Sequence, residues 1–116
     1  MSSRSQNFKV ANAILPLVKE EIATILAAYP RYPYQQAFEE ENRQLKLLAY
    51  VLNRVPGLYV VVETEEELNC YPVASQRVLD IEIAIHQGIQ NLVPAVEIKQ
   101  SSLRERYERQ QFIKVI

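Results

Sequence analysis

Cysteine, histidine and glycine are almost absent from this sequence, with one, one and two residues in 116. The lone Cys70 can form neither an intramolecular disulfide nor a thiolate metal cage, and it fits a reducing compartment. His86 is the single imidazole available to activate it, so Cys70 reads as a structural or surface thiol rather than a nucleophile. Gly57 and Gly88 cannot build a P-loop or a dinucleotide fingerprint, each of which needs several glycines at fixed spacing. No Ser-His-Asp set is readable and no histidine pair exists for zinc. The sequence therefore carries no visible catalytic apparatus, and the expectation is a non-enzymatic protein without a cofactor. Long hydrophobic runs are missing too. No window reaches the roughly 18 uncharged apolar residues of a membrane span, and the start, MSSRSQNFK, lacks the apolar core of a secretory signal. A cytoplasmic protein with no membrane partner is expected.

What remains is 48% hydrophobic residues in a length that suits one core. The formal charge of −1 hides an asymmetry. The body is acidic, with Glu39–Glu41 and Glu65–Glu67 in runs, whereas residues 99–114 are modestly basic. That distribution does not fit a dedicated nucleic-acid-binding domain. Arg104, Arg106 and Arg109 are spaced as on an ordinary exposed helix, so nucleic acid is not an expected partner. Adjacent carboxylates such as Glu39–Glu41 point in different directions on a helix and read as a solvated helix start, not a metal site.

Periodicity organises the rest. Ile14, Leu15, Val18, Ile22, Ile25, Leu26 and Tyr29 recur at three- and four-residue spacing and predict a helix over 12–29. Pro16 allows either a helix starting there or a longer helix from about Gln6 with a kink, and the poor capping value of Leu15 favours the kink. The YPRYPY connector, Tyr29–Tyr34, ends this helix. Phe38, Leu45, Leu48, Ala49, Leu52 and Val55 predict a second helix over 34–55, stopped by Pro56-Gly57. LYVVVE, Leu58–Glu63, is β-branched and aromatic and predicts a strand. A strand needs a partner, and the candidates are residues 95–100, AVEIKQ, or the same strand of a second subunit. Thr64–Glu67 is a capping box. Residues 74–92 predict a further helix, with Val78, Ile81, Ile85, Ile89 and Leu92 as its ridge and Leu79 and Ile83 widening it. His86 lies one turn after Glu82 and reads as half of a surface pair. A second capping box, SLRE, opens the tail from Ser102, where Tyr107, Phe112 and Ile113 stand among charges and predict a short or frayed helix. The predicted fold is mainly α: a small helical domain over 12–94 with one or two short strands, a mobile N-terminal arm over 1–11, and a strand or helix extension over 95–116.

Arg54 stands at the helix-breaking turn, the only arginine between Arg43 and Arg77. Two readings are open. The guanidinium can complement the end of its own helix, or it can pair with a phosphate or a purine edge and stack on a base or on Tyr59.

The run VLNRVPGLYV, Val51–Val60, resembles the A-L-N-R-L-P-P-L-Y centre of the late competence development ComFB family. Asn12 followed by Leu17, Val18, Glu20, Glu21 and Ile22 is similar to that family's opening N-V-M-E-x-L-V-x-E-E-V helix. AIHQGI, Ala84–Ile89, is similar to its closing A-V-x-Q-G-I. The resemblance covers about Asn12 to Leu92. It implies a ComFB-like helical homodimer that acts as a receptor for cyclic dinucleotides, cyclic di-GMP and in some members cyclic di-AMP. There are departures. Many members carry C-x-x-C-x-x-D ahead of the central helix and can hold a metal there; Glu40, Arg43 and Lys46 stand at those positions, so no metal site is expected. The family's L-P-P is Val55, Pro56 and Gly57, and its opening glutamate falls on Leu15.

A cyclic dinucleotide has two phosphates, two purines and near-twofold symmetry, so a twofold dimer can present Arg54 and Tyr59 once to each half. Lys9 and Arg4, on the leading arm, complete the expected ligand-binding set by closing over the phosphates. The competing reading is a protein-protein interaction or adaptor domain, with a decayed ligand pocket and broad apolar faces that bind a downstream regulatory protein.

Overall fold

A computed structural model describes residues 7–94, together with Lys99, Leu103, Arg104 and Arg106 beyond them. Its elements are strand β1 (Lys9–Asn12), helix α1 (Ile14–Ala27), a π-helical turn (Arg31–Gln35) within the expected connector, helix α2 (Glu41–Leu52), strand β2 (Tyr59–Val62), a short helix α3 (Glu65–Asn69) and helix α4 (Ser75–Leu92). The chain is mainly helical with one two-stranded antiparallel sheet. The expected fold class is thus observed, and among the described residues no helix is long and apolar enough to cross a membrane.

The partner of the predicted strand is neither of those expected. β2 pairs with β1, Lys9 opposite Val62 and Asn12 opposite Tyr59. Lys9–Ala11, read as part of an arm, therefore supply the missing backbone hydrogen bonds from within the chain. Lys99 is helical and not extended. Arg4, most of 95–100, and the Ser102 box with Tyr107, Phe112 and Ile113 lie outside the described residues.

The same segment corrects the start of α1. The helix is not kinked from Gln6: it begins at Ile14, and Pro16 falls in its first turn, where a missing N–H costs no helical hydrogen bond. Ala13 at the N-cap offers no side-chain bond. Asn12 does the capping instead, its Oδ1 accepting from the Ile14 N–H at 3.1 Å and from the Leu58 N–H at 3.0 Å. Ala13 N–H also donates to the Leu58 carbonyl at 2.8 Å. One amide side chain thereby fixes where the helix starts and where β2 enters the sheet.

α2 is shorter than the predicted 34–55. Gln36 and Ala37 are still helical, Phe38 and Glu39 form a turn, Glu40 is extended, and the Gln44 side chain donates to the Phe38 carbonyl at 2.7 Å, so the regular helix α2 starts at Glu41. α3 starts on the predicted box, with Glu67 N–H donating to Thr64 Oγ1 at 3.1 Å. The reciprocal bond comes from the Glu63 N–H to the Glu67 carboxylate, one residue before the cap.

The core forms where α4 lies against α1 and α2. Ile81, Ala84, Ile85 and Ile89 meet Leu47 and Val51 of α2, Ile14 and Val18 of α1, and Phe38. Gly88 lets α4 approach α2 closely. A Cβ there would stand 2.7 Å from Leu47 Cδ1 and 2.8 Å from Tyr50 Cδ1. A smaller cluster of Ala13, Val62 and Leu68 closes the inner face of the sheet over α3. The outer face is bare: Phe8, Val10, Tyr59 and Val61 are 57%, 70%, 71% and 64% exposed. Leu79 and Ile83 are also exposed on α4, so the extra width of its apolar face is not buried within the described chain.

Candidate functional site

Arg54 follows the end of α2 and folds back over it. Its guanidinium carbon lies 3.4 Å from the centroid of the Tyr50 ring, and Nη1 donates to the Tyr50 carbonyl at 3.2 Å. The spacing of four residues makes this contact natural on a helix, and the group complements the free carbonyls of the helix end. It remains exposed, and a guanidinium carries five N–H donors, so most of its hydrogen-bonding capacity is still available.

Tyr50 is held from other sides as well. Gly88 leaves room for its ring, and its hydroxyl accepts from Asn91 Nδ2 at 2.9 Å. Asn91 Nδ2 also donates to the Gln87 carbonyl at 2.9 Å, which locks the amide on α4. Beyond Tyr50 opens a shallow cleft of about 580 Å³ lined by Tyr29, Tyr50, His86, Gln87, Gln90 and Asn91. Tyr29 and His86 are hydrogen-bonded across it, hydroxyl to Nδ1 at 2.6 Å, with ring centroids 5.6 Å apart. His86 therefore takes Tyr29 as its partner, where the sequence reading paired it with Glu82.

The other expected residues stand elsewhere. Tyr59 projects from the outer sheet face, and a Cβ on Gly57 would come within 2.7 Å of its ring. Gly57 has no positive φ; what its small size permits is this close approach. The Lys9 ammonium forms an exposed ion pair with Glu65. Among the described residues, Arg54 is engaged with Tyr50 and Lys9 with Glu65, and no hydrogen bond, ion pair or ring contact joins either of them to Tyr59 or to the other. The turn after α2 is clamped by Arg77, whose Nη1 donates to the Pro56 carbonyl at 3.1 Å and lies 3.4 Å from that of Gly57.

Sequence reasoning missed Tyr50, Asn91, Tyr29 and Arg77 as members of this neighbourhood. The four-residue offset between Tyr50 and Arg54 was a usable signal. Tyr29 and His86 are 57 residues apart and gave none. Among the described residues, no three His, Cys, Asp or Glu side chains gather closely enough to hold a metal ion.

No curated protein and no solved structure matches the chain significantly. A family model does: "Late competence development protein ComFB" matches residues 11–93. Its span opens inside β1, takes in the Asn12 cap, the Arg54–Tyr50 stack and the Arg77-clamped turn, and closes at Val93 just after α4. The chain belongs to the ComFB family.

Proposed function

We propose that this ComFB-family chain is a non-enzymatic, cytoplasmic receptor for a cyclic dinucleotide, cyclic di-GMP or cyclic di-AMP, and that it acts as a homodimeric signalling regulator. The observation that carries the reading is the state of Arg54. It is exposed, permanently charged, oriented by Tyr50, and free to pair with a phosphate through its remaining donors. A flat guanidinium already stacked on an aromatic ring loses little freedom when an anion docks on its edge.

The bare outer face of the sheet supports the dimer. Four large apolar side chains on one small sheet face make a patch of the kind that marks an interface. In a twofold assembly each copy supplies one Arg54 and one Tyr59, matching the two halves of the ligand. Lys9 reaches a phosphate only by leaving Glu65, and an exposed ion pair of that kind holds by about 0.2–1 kcal/mol, so its contribution is secondary.

Titration calorimetry with both dinucleotides tests the reading. The expected result is binding at one ligand per dimer, weakened by Arg54→Ala roughly ten- to a hundredfold, the loss of a charge-assisted contact of about 1.5–3 kcal/mol. If neither dinucleotide binds at tens of micromolar, or if Arg54→Ala binds as well as the wild type, the receptor reading or its assignment of Arg54 fails. The same apolar face also favours a second reading, an adaptor that docks another protein there. That reading expects no dinucleotide binding and a co-purifying partner lost on Val61→Lys.

A further inference from the structure

We propose that the cleft between Tyr29, Tyr50 and the last turns of α4 is a purine subsite, in which carboxamides read the base edge while Arg54 takes the attached phosphate. The inference rests on the receptor reading for the class of ligand and adds where a base binds and which atoms recognise it.

The lining chemistry selects the ligand. The cleft, about 580 Å³, lies within the roughly 300–1,000 Å³ usual for small-molecule sites. It is lined by three aromatic rings and three carboxamides, with no carboxylate and no lysine. A sugar site would be expected to use carboxylates to accept from hydroxyl groups, and an anion site would need a cation within it. Planar rings beside amides suit a flat, neutral heterocycle whose edge carries both donors and acceptors. Asn and Gln side chains match purine edges in pairs, and base stacking on aromatic rings is worth about 1–3 kcal/mol.

The individual atoms are available. Gln87 and Gln90 are exposed, and among the described residues neither side chain has a hydrogen-bond partner. They stand at i and i+3 on α4 and so share a face. Asn91 uses its Nδ2 on Tyr50 and the Gln87 carbonyl, which leaves Oδ1 as an acceptor. Nε2 of His86 remains because Nδ1 is taken by Tyr29. Arg54 covers one face of Tyr50, so the paired rings of Tyr29 and His86 offer the stacking surface. The guanidinium does not line the cleft but is stacked on Tyr50, which does, and the attached phosphate is assigned to it on that ground.

The test uses the full chain and the double substitution Gln87→Ala/Gln90→Ala, which removes two exposed side chains without structural partners and should leave the urea unfolding midpoint unchanged. Calorimetry with cyclic di-GMP and cyclic di-AMP should then show affinity roughly five- to a hundredfold weaker than wild type, the loss of two edge hydrogen bonds. If the double variant binds as well as the wild type while Arg54→Ala binds more weakly, the cleft assignment is overturned and the receptor reading stands. If the wild type binds neither dinucleotide, the receptor reading fails, and the cleft is tested alone with guanosine and adenosine monophosphate at low millimolar concentration, followed through the side-chain amide NMR signals of Gln87, Gln90 and Asn91. Shifts confined to those signals support the subsite, and their absence overturns it.

Discussion

Asn12 does more for this fold than its position before a helix implies. One Oδ1 atom accepts from Ile14 and from Leu58, so it caps α1 and anchors the entry of β2. Asn12→Ala leaves two partly buried N–H groups without a partner and is expected to destabilise the chain by about 1–3 kcal/mol, read from urea unfolding. Thr64→Ala removes one cap bond at an exposed helix start and should cost about 0.5–2 kcal/mol. Gly88 faces the opposite constraint, too little space. Gly88→Ala must push the fully buried Leu47 or the Tyr50 ring aside, and overpacking of this sort costs about 1–3 kcal/mol. Because Tyr50 carries Arg54, the same substitution should also weaken dinucleotide binding, whereas Thr64→Ala should not. At this scale the sequence was informative about identity and poor about partners. Arg54 drew attention through its place at the turn, and it does complement its own helix end, but the ring it stacks on is Tyr50 and not Tyr59. The hand on the turn itself is Arg77, which the sequence presents as one more polar residue of α4.

Among elements, legibility followed length and pattern. α4 runs Ser75–Leu92 against a prediction of 74–92, because an apolar ridge sustained over 18 residues leaves little alternative. β2 was legible from its β-branched run. β1 was not, since KVAN is four residues long with little alternation and pairs with a strand about fifty positions away. The alternation within β2 separates two roles that composition alone merges. Val62 is fully buried over α3, while Val61 is exposed. Val62→Ala should therefore destabilise by about 1.5–3 kcal/mol through lost burial and a cavity, and Val61→Thr should leave the thermal stability of the dissociated monomer nearly unchanged while weakening the proposed dimer. Equal losses at the two positions would mean that the outer face is buried in solution by something stable to heating.

For the whole molecule, the expectation of a homodimer loses one of its grounds and gains another. The strand does not need a second subunit to satisfy its backbone, because β1 does so. The outer face of the resulting sheet, with Phe8, Val10, Tyr59 and Val61, is the surface left to be covered. Val10→Lys and Val61→Lys together should give a folded monomer by light scattering, with helix content unchanged, and should lower dinucleotide affinity because each ligand half then meets one chain only. A double variant that remains dimeric would move the interface elsewhere, with Leu79 and Ile83 of α4 the next exposed apolar pair.

Native mass spectrometry of the full chain with cyclic di-GMP or cyclic di-AMP tests the dimeric receptor in one experiment, because it counts chains and ligand in one species. The expected species is two chains carrying one dinucleotide, with the adduct reduced by Arg54→Ala at unchanged dimer population. A folded monomer, or a dimer that takes up neither dinucleotide at tens of micromolar, would contradict it.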